Sequence, residues 1–521
     1  MKKGTSDIIR RATEFPVIMI GEGLLVGGVA GLLVLLYRIS LNYAGIWMSQ
    51  VLNWIQGHPL RILLWFLALA AMAAVTGLLV KWEPMISGSG IPQLEGEMTG
   101  KLEQRWQRII PAKFLGGFLG MFAGLALGRE GPSIQLGAMA GKGISRTLKR
   151  GRTEEKFLLT CGASAGLAAA FHAPLAGVMF ALEEVHKNFS AAVFISAMTA
   201  SVAADYITST VLGMEPVFGF AIAGSLPQQY YWMLAALGVI LGAAGVFYNW
   251  FTLKAQSLYK KVKGLGPVGK AMIPFLLAGI LGLVLPDILG SGHDMIERLA
   301  GGEMALLTAA GLFAARFLFS GVSFGSGVPG GIFFPMLVLG AYIGGIFGKL
   351  CAGYLGLPEE YINNFILLAM AGYFTAVVRA PLTGIILIFE LTGSLSQMLS
   401  LSVVTIFSYI TAMLMKSQPI YESLLERILS GRGIPQEAEE GEKVLDSYAV
   451  AEESQIANHL VRDIAWPQHC LLVAVKRGDK EIIPKGDTKI MMGDVIITMT
   501  DEKHNGAVYD AMSRLCRNNK L

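Results

Sequence analysis

The sequence predicts an all-α, multi-pass membrane protein followed by a small α+β domain. Of its 521 residues, 53% are hydrophobic and only 15% are charged, whereas soluble domains carry about 25% charged residues. Apolar runs close to the ~20 residues that cross a bilayer recur along most of the chain, and the texture turns polar after about residue 415. These runs are residues 15–36, 62–80, 231–251, 304–319 and 398–415.

Basic residues are placed so that they predict the orientation of the chain. The N-terminal segment MKKGTSDIIRRATEF has no cleavage pattern of small residues after it, so we interpret it as a retained tail and not as a signal peptide. Short basic loops occur at residues 142–152 and 254–263. The positive-inside rule places these loops and the N-terminus in the cytoplasm of a cell-membrane protein surrounded by lipid. The loops are too short for a nucleic-acid partner.

Four cysteines, Cys161, Cys351, Cys470 and Cys516, lie far apart in the chain and lack the spacing of metal ligands. The sequence also contains no HExxH motif. We therefore predict no disulfide framework, no metal site and no cofactor.

The apolar part repeats itself. APLAGVMFALEE at residues 173–184 matches APLTGIILIFEL at residues 380–391, and GSGIP at residues 88–92 matches GSGVP at residues 325–329. Motifs shared in the same order by two halves, here roughly residues 15–212 and 228–425, are typical of transporters built from internal repeats. The letters alone do not show whether the two halves are inverted.

Glycine-rich breaks precede three apolar helices, at residues 88–92, 128–132 and 325–335. Non-helical backbone at membrane depth persists only where it is buried in protein or lines a cavity. The N-terminus of a broken helix carries unpaired N–H groups and roughly half a positive charge, and it therefore attracts anions. We expect the three breaks to converge on an anion site near the middle of the membrane.

Arg129 and Glu130 interrupt this apolar texture in GLALGREGPSIQ. Glu130 falls at a predicted helix start, where its carboxylate would take the place of an anion when ionised and leave it when protonated. The alternative is a glutamate that only caps the helix. Because carboxylates within a membrane are costly and are functional candidates by default, we favour the gate.

Four motifs in order, GSGIP, GREGP, GGIFFP and the late tyrosine of KSQPIYESLL, resemble the signature set of the CLC chloride channels and proton-coupled chloride transporters. The resemblance extends over residues 1–432. It implies the CLC fold of two inverted repeats with broken helices. It also implies a homodimer in which each subunit has its own pathway for chloride and protons.

The resemblance further implies roles for individual residues. The hydroxyls of Ser89 and Tyr421 would donate to a central chloride, the backbone N–H groups of Ile332 and Phe333 would complete the site, and Glu130 would be the external gating glutamate. Such donors suit an anion that must also leave. The residues expected to support this site are Gly88, Gly90, Pro92, Lys113, Gly128, Arg129, Gly131, Pro132, Glu183, Gly331 and Pro335.

Four of the neighbouring residues leave alternatives open. Lys113 and Arg129 would add a favourable potential along the path, or they would neutralise buried carboxylates. Gln93 stands where many family members have glutamate, and we expect it to affect local packing more than selectivity. His172 stands where asparagine is frequent, and we interpret it as a hydrogen-bonded structural residue, with a pH-sensing role as the alternative.

In the family that the sequence resembles, coupled exchangers generally carry a second glutamate near the cytoplasmic side, and channels carry another residue there, often valine. Glu184 in ALEEVHKNF matches the internal proton glutamate of the exchangers, which would relay protons to Glu130. The structural alternative is an ion pair with Lys187 or His186. We favour a proton-coupled antiporter, because a helix-end position does not by itself explain the adjacent acids Glu183 and Glu184.

Other classes are less well supported. Serine at position 89 resembles the chloride-selective members and not the nitrate-selective ones, and the fluoride exporters depart from the GSGIP and late-tyrosine pattern. A cation-coupled carrier does not fit the glycine-rich helix starts. An intramembrane protease would need Ser164 and His172 as a pair, but Ser164 aligns with Ala371 in the second repeat. We therefore predict no enzyme.

The polar tail predicts a separate cytoplasmic domain at residues 447–521 after a linker at residues 433–446. We expect helices at residues 451–462 and 506–515 and strands at residues 470–476 and within 487–500. PKGDTKIMMGDVI, residues 484–496, resembles the TrkA-C (RCK-C) module of potassium-conductance regulators. That resemblance implies a module that dimerises and in some relatives binds a small ligand, including cyclic di-AMP. The ligand-free and ligand-binding hypotheses both stay open.

Overall fold

The computed structural model of the protein describes eight stretches, with side chains from Val17 onward except that of Glu502. The chain divides into two compact units, Met1–Ile428 and Leu429–Leu521. The described stretches are residues 5–214, 217–219, 221–262, 264–302, 304–434, 443–452, 454–478 and 480–517.

The larger unit is helical, as its apolar composition predicts. Where α7 ends, the chain continues as a π-helix at Ala181–His186. The α-helices are α1 (Thr5–Ile55), α2 (Pro59–Trp82), α3 (Ile91–Met98), α4 (Trp106–Phe122), α5 (Glu130–Thr147), α6 (Arg152–Phe171), α7 (Pro174–Phe180), α8 (Ala191–Leu212), α9 (Tyr231–Lys261), α10 (Pro267–Val284), α11 (His293–Ala300), α12 (Leu306–Gly325), α13 (Phe333–Tyr354), α14 (Ile362–Val378), α15 (Pro381–Thr392), α16 (Met398–Leu414) and α17 (Ile420–Gly431).

Nine helices of the described chain are long and apolar enough to cross a membrane. They include α1, α2, α9, α12 and α16, which contain or closely match the five apolar runs of the sequence. The multi-pass prediction is therefore confirmed. Other helices, such as α3 with 8 residues, α7 with 7 and α11 with 8, are too short to span a bilayer alone. These short helices require the broken backbone that the glycine-rich segments provide.

Backbones approach each other closely where the two repeats build their cores. A Cβ placed on Gly137 of α5 would lie 2.1 Å from the carbonyl oxygen of Gly162 in α6. In the second half, a Cβ on Gly344 of α13 would lie 2.2 Å from the carbonyl oxygen of Phe365 in α14. Small residues permit such contacts between membrane helices. The α5–α6 and α13–α14 pairs are therefore packed in the same way.

The repeated APL segments cap each other. The carboxylate of Glu183, at the end of the first segment, accepts N–H hydrogen bonds from Leu382 at 3.3 Å and Thr383 at 2.9 Å in the first turn of α15. The carboxylate of Glu390, at the matching position of the second segment, accepts two N–H bonds at 2.9 and 2.7 Å from the first turn of α7. Each segment thus ends where the other begins. The two segments run in opposite directions, as inverted repeats require.

The smaller unit contains a four-stranded antiparallel sheet in the order β1-β4-β2-β3 and one helix. The strands at residues 470–476 and within 487–500 and the helix at 506–515 are confirmed. The first strand begins at Lys443, inside the predicted linker, of which residues 435–442 lie outside the described chain. The elements are β1 (Lys443–Ala449), β2 (Cys470–Arg477), β3 (Lys480–Ile482), β4 (Val495–Asp501) and α18 (Glu502–Cys516).

The helix predicted at residues 451–462 is wrong. The described residues of this segment form turns, a β-bridge at Leu460 and the start of a short 3-10 helix at Val461–Asp463. Asn458 has a left-handed φ of 65° that no continuous helix accommodates. Its N–H donates to the carbonyl of Ile490 at 2.8 Å, and the N–H of Val461 donates to Thr488 at 2.9 Å. Backbone groups that a helix would pair internally are therefore paired with the loop before β4.

Asp494 fixes that loop. Its carboxylate accepts two hydrogen bonds of 2.8 Å from the guanidinium of Arg477 and one of 2.7 Å from the N–H of Met491. Burial alone would raise the pKa of the Asp494 carboxyl, but these hydrogen bonds and the Arg477 charge outweigh it and hold the pKa below its usual value. The ionised form is therefore the one that the fold stabilises.

We expect Asp494→Asn to destabilise the small unit by about 1–3 kcal/mol at neutral pH, because the guanidinium loses its charged partner. A depressed folded-state pKa contributes stability that is complete above the unfolded value of about 3.9 and is lost as pH falls through the folded value. The difference in stability between Asp494→Asn and the native protein should therefore become smaller in acid. Hydrogen exchange of the β4 amides in the full chain, corrected for intrinsic exchange rates, measures this difference. Asp510→Asn, on the exposed face of α18, should leave exchange unchanged; equal protection in both variants would contradict the prediction.

Candidate anion site at the broken helices

Hydrogen bonds between backbone groups hold the three glycine-rich breaks together. Gly128 and Gly331 exchange two N–H···O bonds of 2.7 Å each, which form an isolated antiparallel bridge. The N–H of Gly330 donates to the carbonyl of Gly88 at 3.0 Å. The loops before α3, α5 and α13 therefore meet at one place. The convergence predicted from the sequence is confirmed.

Glycine is needed at this meeting point for two physical reasons. Gly88 and Gly90 have φ values of +65° and +93°, a backbone conformation that residues with a Cβ rarely adopt. A Cβ on Gly90 would lie 2.3 Å from the side-chain oxygen of Gln135, and a Cβ on Gly131 would lie 2.8 Å from the Cβ of Ser89. The break before α3 thus packs directly on the first turn of α5.

Proline follows each break within the first turn of a helix. Pro92 lies in the first turn of α3, Pro132 in that of α5 and Pro335 in that of α13. A helix leaves its first N–H groups without an intrahelical acceptor, so proline loses no hydrogen bond there. Each motif therefore both stops the preceding segment and starts a helix whose free amides face the junction.

Two hydroxyls suited to an anion lie near this junction. Tyr421, in the first turn of α17, is fully buried, and its hydroxyl has no hydrogen-bond partner among the described residues. Ser89 is 2% exposed, and its Oγ accepts from the N–H of Ile91 at 3.4 Å, which leaves its own O–H free to donate. A buried hydroxyl without a partner is unfavourable unless a ligand satisfies it.

The start of α13 supplies backbone donors. Ile332 is its N-cap and Phe333 its first residue, so the N–H groups of both lack an intrahelical acceptor. Both residues are fully buried. The ring of Phe333 packs at 4.8 Å from that of Phe374 and at 5.8 Å from that of Phe180, whose ring lies edge-on to Tyr421 at 6.5 Å. Aromatic packing therefore fixes the amides and the tyrosine in relation to one another.

The Glu130 side chain folds back over the bridge between the breaks. It is 1% exposed, and a Cβ on Gly128 would lie only 2.4 Å from its Oε2. The N–H of Phe334, in the first turn of α13, also faces this carboxylate. Arg129 Nε lies 3.9 Å from Oε1. The carboxylate thus occupies the electropositive end of α13, where an anion would otherwise sit.

A cavity of about 740 Å³ reaches Glu130 and is lined also by Arg38, Arg129 and His172. His172 accepts or donates on both ring nitrogens, with Nε2 2.9 Å from Arg38 and Nδ1 3.2 Å from the carboxylate of Asp205. His172 caps α6 with a φ of 56° and contacts two charged groups, so the prediction that it is hydrogen-bonded is confirmed, and the pH-sensing alternative stays open.

Lys113 and Gln93 hold the loop that carries Ser89. The fully buried Lys113 ammonium donates to the carbonyls of Ile86 at 2.9 Å and Gly88 at 2.6 Å. Gln93 Nε2 donates to the carbonyl of Ser87 at 2.7 Å. Within the described chain, Lys113 makes no ion pair with a carboxylate. It therefore adds positive potential without neutralising an acid, and Gln93 acts on local packing.

Glu184 lies in the π-helix after α7 and is 5% exposed. Its proposed cationic partners are engaged elsewhere, because Lys187 pairs with Glu422 at 2.5 Å and His186 Nδ1 lies 2.9 Å from Thr160. No cation lies within 4.0 Å of Glu184 in the described part of the chain. A direct ion pair of Glu184 with Lys187 or His186 is therefore not found among the described residues, although the Lys187 charge acts on both Glu184 and Glu422. π-Helical turns are rare in proteins, and those that occur are frequently found at functional sites.

The sequence analysis missed two acids. Glu95 in α3 is 4% exposed, no N–H group or hydroxyl of the described residues donates to its carboxylate, and its side chain lies against that of Glu184 and near Tyr421. One signal in the sequence could have identified Glu95: it follows the GSGI motif by four residues and so lies within the same short helix that the motif begins. Glu390 was also missed, although the repeat alignment sets it opposite Glu183.

Residues 70–413 match the family described as voltage gated chloride channel. The chain belongs to the CLC family. It is 33% identical over 438 residues to the H(+)/Cl(−) exchange transporter ClcA of Yersinia pestis bv. Antiqua (strain Angola), covering 80% of this chain and 88% of that protein. ClcA of Citrobacter koseri is 33% identical over 448 residues, with 83% of this chain and 94% of that protein covered.

Solved structures agree with this assignment. The crystal structure of a slow cyanobacterial Cl−/H+ antiporter superposes with a TM-score of 0.76 at 30% identity, over 80% of this chain and 99% of that one. A eukaryotic CLC transporter shares the fold with a TM-score of 0.67 at 18% identity, over 80% and 74% of the two chains. Residues 447–511 match the TrkA-C domain. The CLC fold and the TrkA-C resemblance are both confirmed.

Gly128→Ala should displace the Glu130 carboxylate. The new Cβ would meet Oε2 at 2.4 Å, Pro335 Cδ at 3.0 Å and Phe334 N at 3.2 Å, and only the carboxylate is free to move. Overpacking of this kind costs about 1–3 kcal/mol, which favours the displaced carboxylate by roughly five- to 150-fold. Chloride efflux from proteoliposomes should rise relative to the accompanying proton flux.

Gly120→Ala is the matched control, because its Cβ would make only ordinary contacts, at 3.6 Å to Val328 and 3.8 Å to the Pro329 carbonyl. If Gly128→Ala and Gly120→Ala gave the same ratio of proton to chloride flux, the position assigned to the Glu130 carboxylate would be incorrect.

Proposed function

We propose that this protein is a proton-coupled chloride antiporter. Chloride is held by the hydroxyls of Ser89 and Tyr421 and by the N–H groups of Ile332 and Phe333. The observation that carries antiport is the arrangement of two acids: Glu130 lies on the anion site itself, and Glu184 is buried with no cation within 4.0 Å among the described residues. The named exchange functions of the two ClcA relatives support the same conclusion.

Chloride binding follows from the donor set. Hydroxyls and helix-start amides carry partial positive charges that stabilise an anion without a fixed full charge in contact with it. The Lys113 ammonium contacts the Gly88 carbonyl, in the loop that carries Ser89. Its charge therefore adds positive potential at the chloride site without contacting the ion. A weakly held ion in a preorganised site is able both to enter and to leave.

Proton coupling follows from competition at the same place. An ionised Glu130 carboxylate and a chloride ion both require the electropositive start of α13, so they exclude each other there. Protonation removes the charge of Glu130 and releases the site to chloride. Protons reach Glu130 from the cavity lined by Arg129, and from the opposite side through Glu184, with Glu95 beside it as a second buried carboxyl.

Neither a passive channel nor an enzyme accounts for these features as well. A passive chloride channel does not transport protons, so it would not require a buried acid at the position of Glu184. The protease hypothesis needs a contact between Ser164 and His172, yet the Ser164 hydroxyl lies 2.5 Å from that of Ser201 while His172 contacts Arg38 and Asp205. We therefore propose a transporter without a catalytic centre.

The remaining assignments come from the family. We propose a homodimer in the cell membrane, each subunit with its own pathway, with the N-terminus and the small unit in the cytoplasm. The TrkA-C unit would act as a regulatory module, either through its own association or through a small ligand such as cyclic di-AMP. Crosslinking in native membranes and equilibrium dialysis with cyclic di-AMP test these two points separately.

Glu184→Gln should abolish chloride-driven proton transport while chloride still passes. The amide keeps the size and burial of the side chain but does not exchange a proton, so only the relay is lost. The measurement is proton flux into sealed liposomes that contain the pure protein and a chloride gradient, with the voltage clamped by a potassium ionophore. If chloride moved and protons never followed even in the native protein, the protein would be a channel.

Glu390→Gln is the matched control for that experiment. It is also a glutamate at the end of an APL segment, and glutamine keeps one of the two oxygens that accept N–H bonds from α7. Coupling should persist in this variant. Loss of proton flux in both variants would indicate that changing any acid at the end of an APL segment disturbs transport, so that the effect of Glu184→Gln would not be specific to a proton relay.

Tyr421→Phe should weaken chloride binding by about tenfold, because a hydrogen bond to an ion is lost while the ring packing remains. Isothermal titration of the detergent-solubilised protein with chloride measures this. Tyr342→Phe removes another buried tyrosine hydroxyl, one that donates to the Met295 carbonyl at 3.3 Å, and should leave the affinity unchanged. Equal affinities in native protein and Tyr421→Phe would exclude the hydroxyl as a ligand.

A further inference from the structure

Two histidines and an aspartate that are distant in the chain meet at one edge of the small unit. His469 directly precedes β2, Asp501 ends β4, and His504 lies in the first turn of α18. The register of the sheet pairs Cys470 with Thr500, and the Thr500 hydroxyl donates to the His469 carbonyl at 2.8 Å. The end of β4 is therefore fixed beside the start of β2.

The side chains of these three residues face one another. Their potential ligand atoms, one from each residue, all lie within 4.8 Å of one another. The imidazole rings of His469 and His504 are 4.0 Å apart between centroids, with 32° between their planes. Sequence spacing gives no hint of this cluster, because residues 469, 501 and 504 match no metal-binding motif.

One nitrogen in the cluster has no partner. Nδ1 of His504 is buried, and no hydrogen bond to it is found in the described chain. A buried polar atom left unsatisfied is unfavourable by about 1–3 kcal/mol. His469 adopts a left-handed backbone with a φ of 63°, a conformation in which histidine, like asparagine and aspartate, is found more often than other residues that carry a Cβ. The local fold thus leaves a buried imidazole nitrogen of His504 unsatisfied directly beside a second imidazole.

We propose that His469, Asp501 and His504 form a binding site for a transition-metal ion, with Zn²⁺ as the best match. Two imidazole nitrogens and one carboxylate oxygen are ligands that Zn²⁺ takes readily, and three protein ligands leave a fourth position open to water or to another group. The ion would join the start of β2 to the start of α18. It would also satisfy the free nitrogen of His504.

Positive charge near the cluster sets the expected strength of binding. Lys443 in β1 forms an ion pair with one carboxylate oxygen of Asp501, and the start of α18 carries a partial positive charge. Both oppose a cation, whereas the Asp501 charge favours it. The second carboxylate oxygen leaves room for a metal while Lys443 stays in place. We therefore expect moderate affinity and a clear response to removal of the lysine charge.

The test uses the full chain in detergent, without an affinity tag and freed of metal by a chelator. Co²⁺ is the probe, because its visible absorption becomes stronger when it is bound by four ligands, as Zn²⁺ is in proteins, than when it is free in water. We expect saturable binding of Co²⁺ at one site per chain and displacement by Zn²⁺. His469→Asn, which suits the left-handed backbone, and His504→Gln should each weaken binding by about tenfold or more. Lys443→Gln should strengthen it roughly two- to fivefold.

His459→Gln is the control in the same unit, because this exposed histidine lies outside the cluster and should leave Co²⁺ binding unchanged. Hydrogen exchange of β2 and β4 in metal-free protein establishes that His469→Asn and His504→Gln are folded. The proposal is overturned if native protein shows no saturable Co²⁺ binding. It is equally overturned if folded His469→Asn and His504→Gln bind Co²⁺ as tightly as native protein does.

Discussion

The pair of hydrogen bonds between Gly128 and Gly331 is the contact on which the transport unit depends. Each backbone polar group left unpaired in hydrocarbon costs several kcal/mol, so a break in a membrane helix must be satisfied by another part of the protein. Here two breaks satisfy each other, one N–H and one carbonyl from each side. The first amides of α5 and α13 are then the groups that remain free. The same bridge that stabilises the breaks also aims their donors at one point.

The bridge explains why the surrounding residues are so restricted. A Cβ on Gly331 would lie 3.2 Å from the backbone nitrogen of Gly131, and one on Gly330 would lie 2.7 Å from Leu127. Larger residues would separate the breaks and move the helix starts apart. Lys113 then binds the Gly88 carbonyl from the other side, so a full charge supports the site without touching the ion. Preorganised partial charges in contact and a full charge at a distance suit an anion that must be released.

Local sequence chemistry predicted the parts of this arrangement but not their pairing. Glycine and proline mark where each helix breaks and restarts, because φ restrictions and missing N–H groups act within a few residues. Which break pairs with which is a property of the packed helices, so the contact of Gly330 with Gly88 had no local signal. Glu95 was missed for the same reason: only the fold shows that α3 places it beside the π-helix that carries Glu184.

In the small unit the failure had a different cause. Strands and the last helix follow from strong alternation and from a compact apolar face, whereas the segment 451–462 has helix-compatible residues without a dominant pattern. Tertiary hydrogen bonds to the loop before β4 then decided its structure, as the contact of Asn458 with Ile490 shows. Propensity is a weak prior where such competing partners exist.

The two repeats show how a symmetric scaffold supports a one-sided proton path. Glu183 and Glu390 occupy matching positions and do the same work, since each caps the APL helix of the other repeat. The next position in the alignment holds Glu184 in the first repeat and the fully buried Leu391 in the second. The caps are needed twice because each of these helices begins with N–H groups that lack an intrahelical acceptor. Under the proposed function a proton acceptor is needed once, because the opposite side is served by Glu130. The adjacent acids of ALEEVH therefore differ in what the fold asks of them: the first makes the cap that both repeats share, and only the second, which has no counterpart in the other repeat, is available for the proposed coupling.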